Sequence, residues 1–134
     1  MIGIDTNILV RFIVNDDEKQ FEIAKDLILA YEGKKHTMFI NDIVFCEVSW
    51  VLKMGYHYSR QEIYNVINAI LSMEEFCFAS QQLLIEAITL YKNTLADFSD
   101  CFIYVRNRAA SCTKTYSFDK KGIIGGIFTP VGNV

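Results

Sequence analysis

Met1-Ile2-Gly3-Ile4-Asp5-Thr6-Asn7-Ile8-Leu9-Val10-Arg11 is the stretch on which the fold turns. Its first four residues are apolar or small and run straight into an acid, which reads as a short buried strand ending at Asp5. Asp5 is then placed to cap a helix from Thr6 through Phe12. A buried strand feeding a helix is the opening unit of an α/β fold, and the rest of the chain repeats the alternation. Asp16-Asp17-Glu18 open a helix with acids where its dipole favours them. Phe21, Ala24, Ile28 and Tyr31 recur along it, and Gly33 is the expected stop. A strand follows over 37–40. Asn41 or Asp42 caps an apolar helix expected to run to Lys53 and stop near Gly55. Ser59-Arg60-Gln61-Glu62 has the form of a capping box, with Ile63, Val66, Ile67 and Ile70 on the buried face.

The second half reads the same way: a strand over 75–79, then a helix over 80–93 that buries Leu83, Leu84, Ala87, Ile88 and Tyr91. Asp97 caps a further helix ending near Ser111. A β-branched and aromatic strand over 115–118 ends at Asp119, and a last edge strand is expected over 127–129. Short apolar strands alternating with helices predict a three-layer α/β/α sandwich around a mostly parallel central sheet. In such sheets ligands bind outside the carboxyl ends of the strands, so residues at strand ends carry extra interest.

Composition bounds what the fold does. The 134 residues are 51% hydrophobic and 22% charged, a mixture that buries a core and predicts one domain over 1–134. The apolar runs, such as Ile43-Val44-Phe45-Cys46, fall short of the ~18 residues a membrane span needs. The first residues reach an acid without a basic region, so no signal peptide and a cytoplasmic protein are expected. A net charge of −3 excludes coating nucleic acid by charge alone. The four cysteines form no C-x-x-C, and with only His36 and His57 beside them a zinc site is not expected.

The acids are more informative. Asp5 and Asp119 each end an expected strand. Glu47 lies on a helix among Ile43, Val44, Trp50 and Val51, so its carboxylate is expected to be buried or at the lip of a cavity. No basic residue lies within a helical turn of it, so a cation or a distant Lys or Arg is expected to compensate it. Asp97-Phe98-Ser99-Asp100 is a sound helix start, and equally a pair of acids one turn apart that can face a metal. Together these residues can bring Asp5, Glu47, Asp100 and Asp119 into one pocket, with Asp97 beside them. Such a pocket needs cations, and an all-oxygen ligand set selects Mg²⁺ or Mn²⁺. Its commonest work is to activate water against a phosphodiester. Arg11 is the best placed phosphate contact, one and a half helical turns past Asp5. Lys53, Arg106, Arg108, Lys120 and Lys121 are further candidates. Tyr56, His57 and Tyr58 form an exposed-looking polar-aromatic cluster between helices, read as a dimer contact or plain loop, or else as a surface that stacks bases.

Asp5-Thr6-Asn7-Ile8-Leu9-Val10-Arg11, Glu47 in an apolar helix, Ala96-Asp97-Phe98-Ser99-Asp100 and Ser117-Phe118-Asp119 follow one another in an order that closely resembles the PIN domain, in particular the VapC-type toxins of toxin–antitoxin pairs. The resemblance spans essentially the whole chain and implies a metal-dependent endoribonuclease. Asp5, Glu47, Asp100 and Asp119 match the family's acidic quartet, and Asp97 is a frequent supporting acid. Thr6, Asn7 and Ser117 match the polar residues that hold the carboxylates. The resemblance also implies an RNA substrate, a homodimer and inhibition by a small antitoxin. Two departures are mild: Ser117 stands where threonine is common, and the helix after Asp100 is bulkier than usual. An aspartyl-phosphate phosphotransfer domain lacks support, since the first strand gives Asp-Thr-Asn and not Asp-x-Asp. A non-catalytic binding module and a housekeeping RNA-processing nuclease of the same fold are the alternatives.

Overall fold

The structure, a computed structural model, describes residues 1–132. They fall into two compact units, Met1–Ala79 and the remainder from Ser80. In the first, β1 (Ile2–Gly3), β2 (Met38–Ile40) and β3 (Phe76–Phe78) form a sheet in the order β1-β2-β3, every pair parallel. Ile2 stands opposite Met38, and Met38 opposite Phe76. Met38 and Ile40 are fully buried and Phe39 between them is half-buried, as expected of a parallel strand covered on both faces. Parallel strands need long connections, and helices supply them. α1 (Thr6–Val14) and α2 (Glu18–Leu29) link β1 to β2, while α3 (Asp42–Tyr56) and α4 (Arg60–Ser72) link β2 to β3. The α/β class and the parallel sheet flanked by helices are therefore as the sequence reads.

The helices start where their caps dictate. Asp17 accepts from the Gln20 N–H at 3.0 Å, and Asn41 from the Val44 N–H at 3.1 Å. Ser59 and Glu62 close the capping box in both directions. Inward faces then decide the packing. α3 buries Val44, Phe45, Val48 and Leu52, and α4 buries Ile63, Ile67, Ile70 and Leu71. Each such side chain contributes roughly 1.5–3 kcal/mol on leaving water. Phe45 also meets Phe78 of β3, ring centres 5.5 Å apart.

Two helix ends differ from expectation. α2 stops at Leu29, where Leu29 and Ala30 are exposed and no apolar face remains to hold another turn. Gly33 lies beyond it at φ +76°, donating its N–H to the Glu75 carboxylate at 3.0 Å. α3 runs through Gly55 to Tyr56, and the stop is His57, left-handed at φ 56°, with its N–H returned to the Leu52 carbonyl. Buried Leu52 and the Tyr56 hydrogen bond to Asp16 anchor this turn against the modest helical cost of one glycine.

The second unit is built on α5 (Gln81–Asn93), α6 (Phe98–Ala109) and α7 (Lys120–Ile124). Its inner face carries Leu84, Ala87, Ile88 and Tyr91 of α5. Tyr91 meets Phe98 edge-on at 6.2 Å, and Phe98 stacks on Phe102. The two strands expected over 115–118 and 127–129 are not formed. One parallel bridge, Tyr116 with Thr129, takes their place. Tyr116 and Phe118 are more than half exposed, so this stretch has no second buried face to support a strand. Residues Asn107 and Thr115 tie it to α6 by a side-chain hydrogen bond of 3.1 Å. Among the described residues no helix is long and apolar enough to cross a membrane.

Candidate active site

The first unit assembles its acids at the carboxyl end of the sheet. Ile4 makes the last ladder hydrogen bond of the β1 edge, its N–H to the Phe39 carbonyl at 2.9 Å. Asp5 comes next and turns the chain into α1. It is the N-cap, and its Oδ1 accepts from the Thr6 N–H at 2.7 Å. The Thr6 hydroxyl in turn donates to Oε1 of Glu47 on α3, at 2.8 Å. One residue thus connects both carboxylates: its backbone holds Asp5 and its side chain holds Glu47. Asp5, Thr6, Asn7 and Glu47 border a cavity of about 360 Å³ that Arg11 and Tyr56 also line. A second cavity of about 310 Å³ lies against Asp5 and the β2 end at Asn41.

Of the two places expected for Glu47, the structure shows the second. It is exposed at the cavity lip, not buried, and so are its neighbours Ile43 (69%) and Trp50 (62%). Ile43 and Trp50 lie on the surface, while Val44 is buried and Val51 half-buried, so Glu47 stands at the edge of the core face. No cation is needed to offset burial, and its partner is a hydroxyl. Beside it, burial pushes the Cys46 thiol up to about 11, with the charges of Asp42 and Glu47 adding to the effect. In the absence of a metal that thiol stays protonated at neutral pH.

Arg11, which lines the same cavity, pairs with Asp16, Nη1 to Oδ1 at 2.9 Å. The Tyr56 hydroxyl donates to the other Asp16 oxygen at 2.9 Å and lies 3.5 Å from Arg11 Nη1. The Tyr56 hydrogen bond, then Arg11, hold the Asp16 carboxyl below its usual range. Asp16 likewise raises both the Arg11 and the Tyr56 values. Asp16 carried only a helix-dipole reading in the sequence, and Tyr56 that of a loop aromatic. Their meeting depends on the ends of α1 and α3 converging, and no local pattern encodes that.

The second unit holds the remaining acids. Asp97 is the N-cap of α6, half-buried, and its side chain makes no capping hydrogen bond; Asp100 lies in the first turn of the same helix. Asp119 does not end a strand. It caps α7, its Oδ2 accepting from the Gly122 N–H at 2.8 Å, and its own N–H donates to the Ser117 hydroxyl at 3.0 Å. Ser117 therefore braces Asp119 much as Thr6 braces Glu47. Among the described residues no three His, Cys, Asp or Glu side chains form a group able to hold a metal ion. The two carboxylates of the first unit still suit a hard cation. Mg²⁺ is commonly held by one or two carboxylates, with water and substrate phosphate completing its shell.

Comparison with known proteins bears on the same residues. The chain matches the family model of the PIN domain over residues 2–122. It is also 28% identical over 118 residues to a VapC ribonuclease of Aquifex aeolicus (strain VF5), covering 88% of this chain and 87% of that protein.

Proposed function

The chain belongs to the PIN domain family, and on that premise we propose that it is a metal-dependent endoribonuclease, the toxin of a type II toxin–antitoxin pair. The observation that carries this reading is the Asp5–Thr6–Glu47 connection at the carboxyl end of a parallel sheet. The family match runs through both units, which supports reading 1–134 as a single domain. Likeness to a protein named as a ribonuclease supports RNA as substrate. The exposed apolar stripe of Ile43, Trp50 and Met54 on α3 supports a protein partner beside the site, and the antitoxin is our reading of it. A homodimer working in the cytoplasm completes the proposal.

Asp5, Glu47, Asp100 and Asp119 would hold the cation, with Asp97 in support. Mg²⁺, or Mn²⁺ in its place, supplies when bound a lowered pKa for water and a counter-charge for phosphate. The residues of this chain supply the rest. Thr6 fixes the Glu47 carboxylate, and Ser117 fixes the turn that presents Asp119. Asn7 lines the cavity next to Asp5 and offers an amide to the substrate backbone. In-line attack on the phosphorus would break the bond to the 3′ oxygen, leaving 5′-phosphate and 3′-hydroxyl ends.

The direct experiment is cleavage of a pool of structured and single-stranded RNA by the purified protein, with Mg²⁺, Mn²⁺ or EDTA. Cutting that needs the metal and falls at least about 100-fold in Asp5→Asn is expected. A folded, metal-supplied protein that does not cut RNA would favour the non-catalytic binding module. Cutting without toxicity in the absence of a partner would favour the housekeeping nuclease.

A further inference from the structure

The cavity beside Asp5 and Glu47 is also lined by Arg11 and Tyr56, which belong to an Arg–Asp–Tyr cluster that those two acids do not explain. Arg11 lies in the last turn of α1, Tyr56 ends α3, and Asp16 sits in the connection after α1. The three are joined by two contacts of 2.9 Å and a longer one of 3.5 Å. Arg11 and Tyr56 both face the same space as Asp5 and Glu47. An arginine sharing a cavity with two carboxylates has an obvious alternative: it can swing across and neutralise them. Here it is committed to Asp16, and the Tyr56 hydroxyl occupies the other Asp16 oxygen. Both contacts use Nη1, while a guanidinium carries five N–H donors in a planar fork suited to phosphate.

Resting on the nuclease reading, we propose that Arg11 binds a phosphate of the RNA strand neighbouring the scissile one, and that Asp16 and Tyr56 are positioning residues that hold it there. The acids act on one phosphodiester and Arg11 sets the register of the strand across them. Phosphate contacts fix position and carry no base preference, so this subsite governs affinity for any single strand that enters.

The test is binding of a short single-stranded oligoribonucleotide to the Asp5→Asn protein over a salt series, read by fluorescence anisotropy. It is repeated with Arg11→Ala, Arg11→Lys and Tyr56→Phe added, while cleavage is followed in the otherwise wild-type protein. Removing one phosphate contact on a single strand lowers the slope of log affinity against log salt by about 0.7. Arg11→Ala is expected to show that loss with about tenfold weaker binding. Arg11→Lys should keep the slope and bind less tightly. Tyr56→Phe, which keeps the ring, should weaken binding and raise KM with kcat little changed. Unchanged affinity and slope in Arg11→Ala and Tyr56→Phe, in a protein that still cleaves RNA, would overturn the inference and leave the nuclease standing. A lowered melting temperature with an unchanged slope would do the same, assigning the cluster to structure. Wild-type protein that neither binds nor cuts RNA would overturn both.

Discussion

Thr6 is a small residue with two tasks. Its backbone N–H satisfies Asp5 and its hydroxyl satisfies Glu47, so the acids at the start of α1 and within α3 are oriented through one residue. Valine has nearly the same shape and no hydroxyl. Thr6→Val should therefore leave the melting temperature close to wild type while cleavage falls about 10–100-fold, the usual cost of losing a partner that orients a ligand. Parallel thermal melts and initial-rate measurements would check it; unchanged activity would show that the link is incidental. Asp5 and Thr6 were legible in the sequence because strand, acid and helix start are adjacent there. Glu47 was singled out from its apolar neighbours, yet Ile43 and Trp50 are on the surface. Periodicity reports that residues share a face, and it cannot say whether that face is covered. The pairing of Tyr56 with Asp16 was not legible because 40 positions separate them.

At the scale of elements, boundaries follow chemistry that is partly local. The Ser59–Glu62 capping box was readable because both partners lie within four residues. Ser59→Ala should cost about 1 kcal/mol, measurable by urea denaturation. The segment around Asp119 was less legible. Its residues alternate like a strand, but a strand needs a partner along its length and this one has a single bridge. What holds Asp119 is instead the turn into α7. A Cβ on Gly122 would lie 2.3 Å from the Phe128 ring, so Gly122→Ala must displace either the ring or the helix start. Overpacking of this kind costs typically 1–3 kcal/mol. Because the Gly122 N–H also caps onto Asp119, the variant should lose cleavage activity beyond its loss of stability. Activity measured well below its melting temperature would separate the two effects.

For the whole molecule, charge sets the working range. Asp16, Glu62 and Glu75 all have pKa values lowered by hydrogen bonds, to Tyr56, to Ser59 and to the Gly33 N–H respectively. A carboxyl whose folded value lies below its unfolded value of about 4 stabilises the fold above that pH. The contribution is lost as pH falls through the folded value. Denaturation midpoints should accordingly be flat from pH 7 to 5 and fall below pH 4, less steeply in Glu75→Gln. The net charge of −3 works against an anionic substrate, so under the proposed function a cation and basic residues such as Arg11 would have to supply the local attraction. The α/β class and parallel sheet were visible in the alternation of short apolar runs and helices. The proposed grouping of Asp97, Asp100 and Asp119 with Asp5 and Glu47 rests on order along the chain, since sequence order constrains topology and not distance.

Single-turnover cleavage of one RNA with Mg²⁺ by the wild-type protein, Glu47→Gln and Asp119→Asn tests the central claim most directly, because the two substitutions fall in different units. Loss of at least about 100-fold in each, with wild-type folding by circular dichroism and cutting abolished by EDTA, is the expected result. Wild-type rates in Asp119→Asn, or cutting that persists in EDTA, would contradict an acidic metal centre built from both parts of the chain.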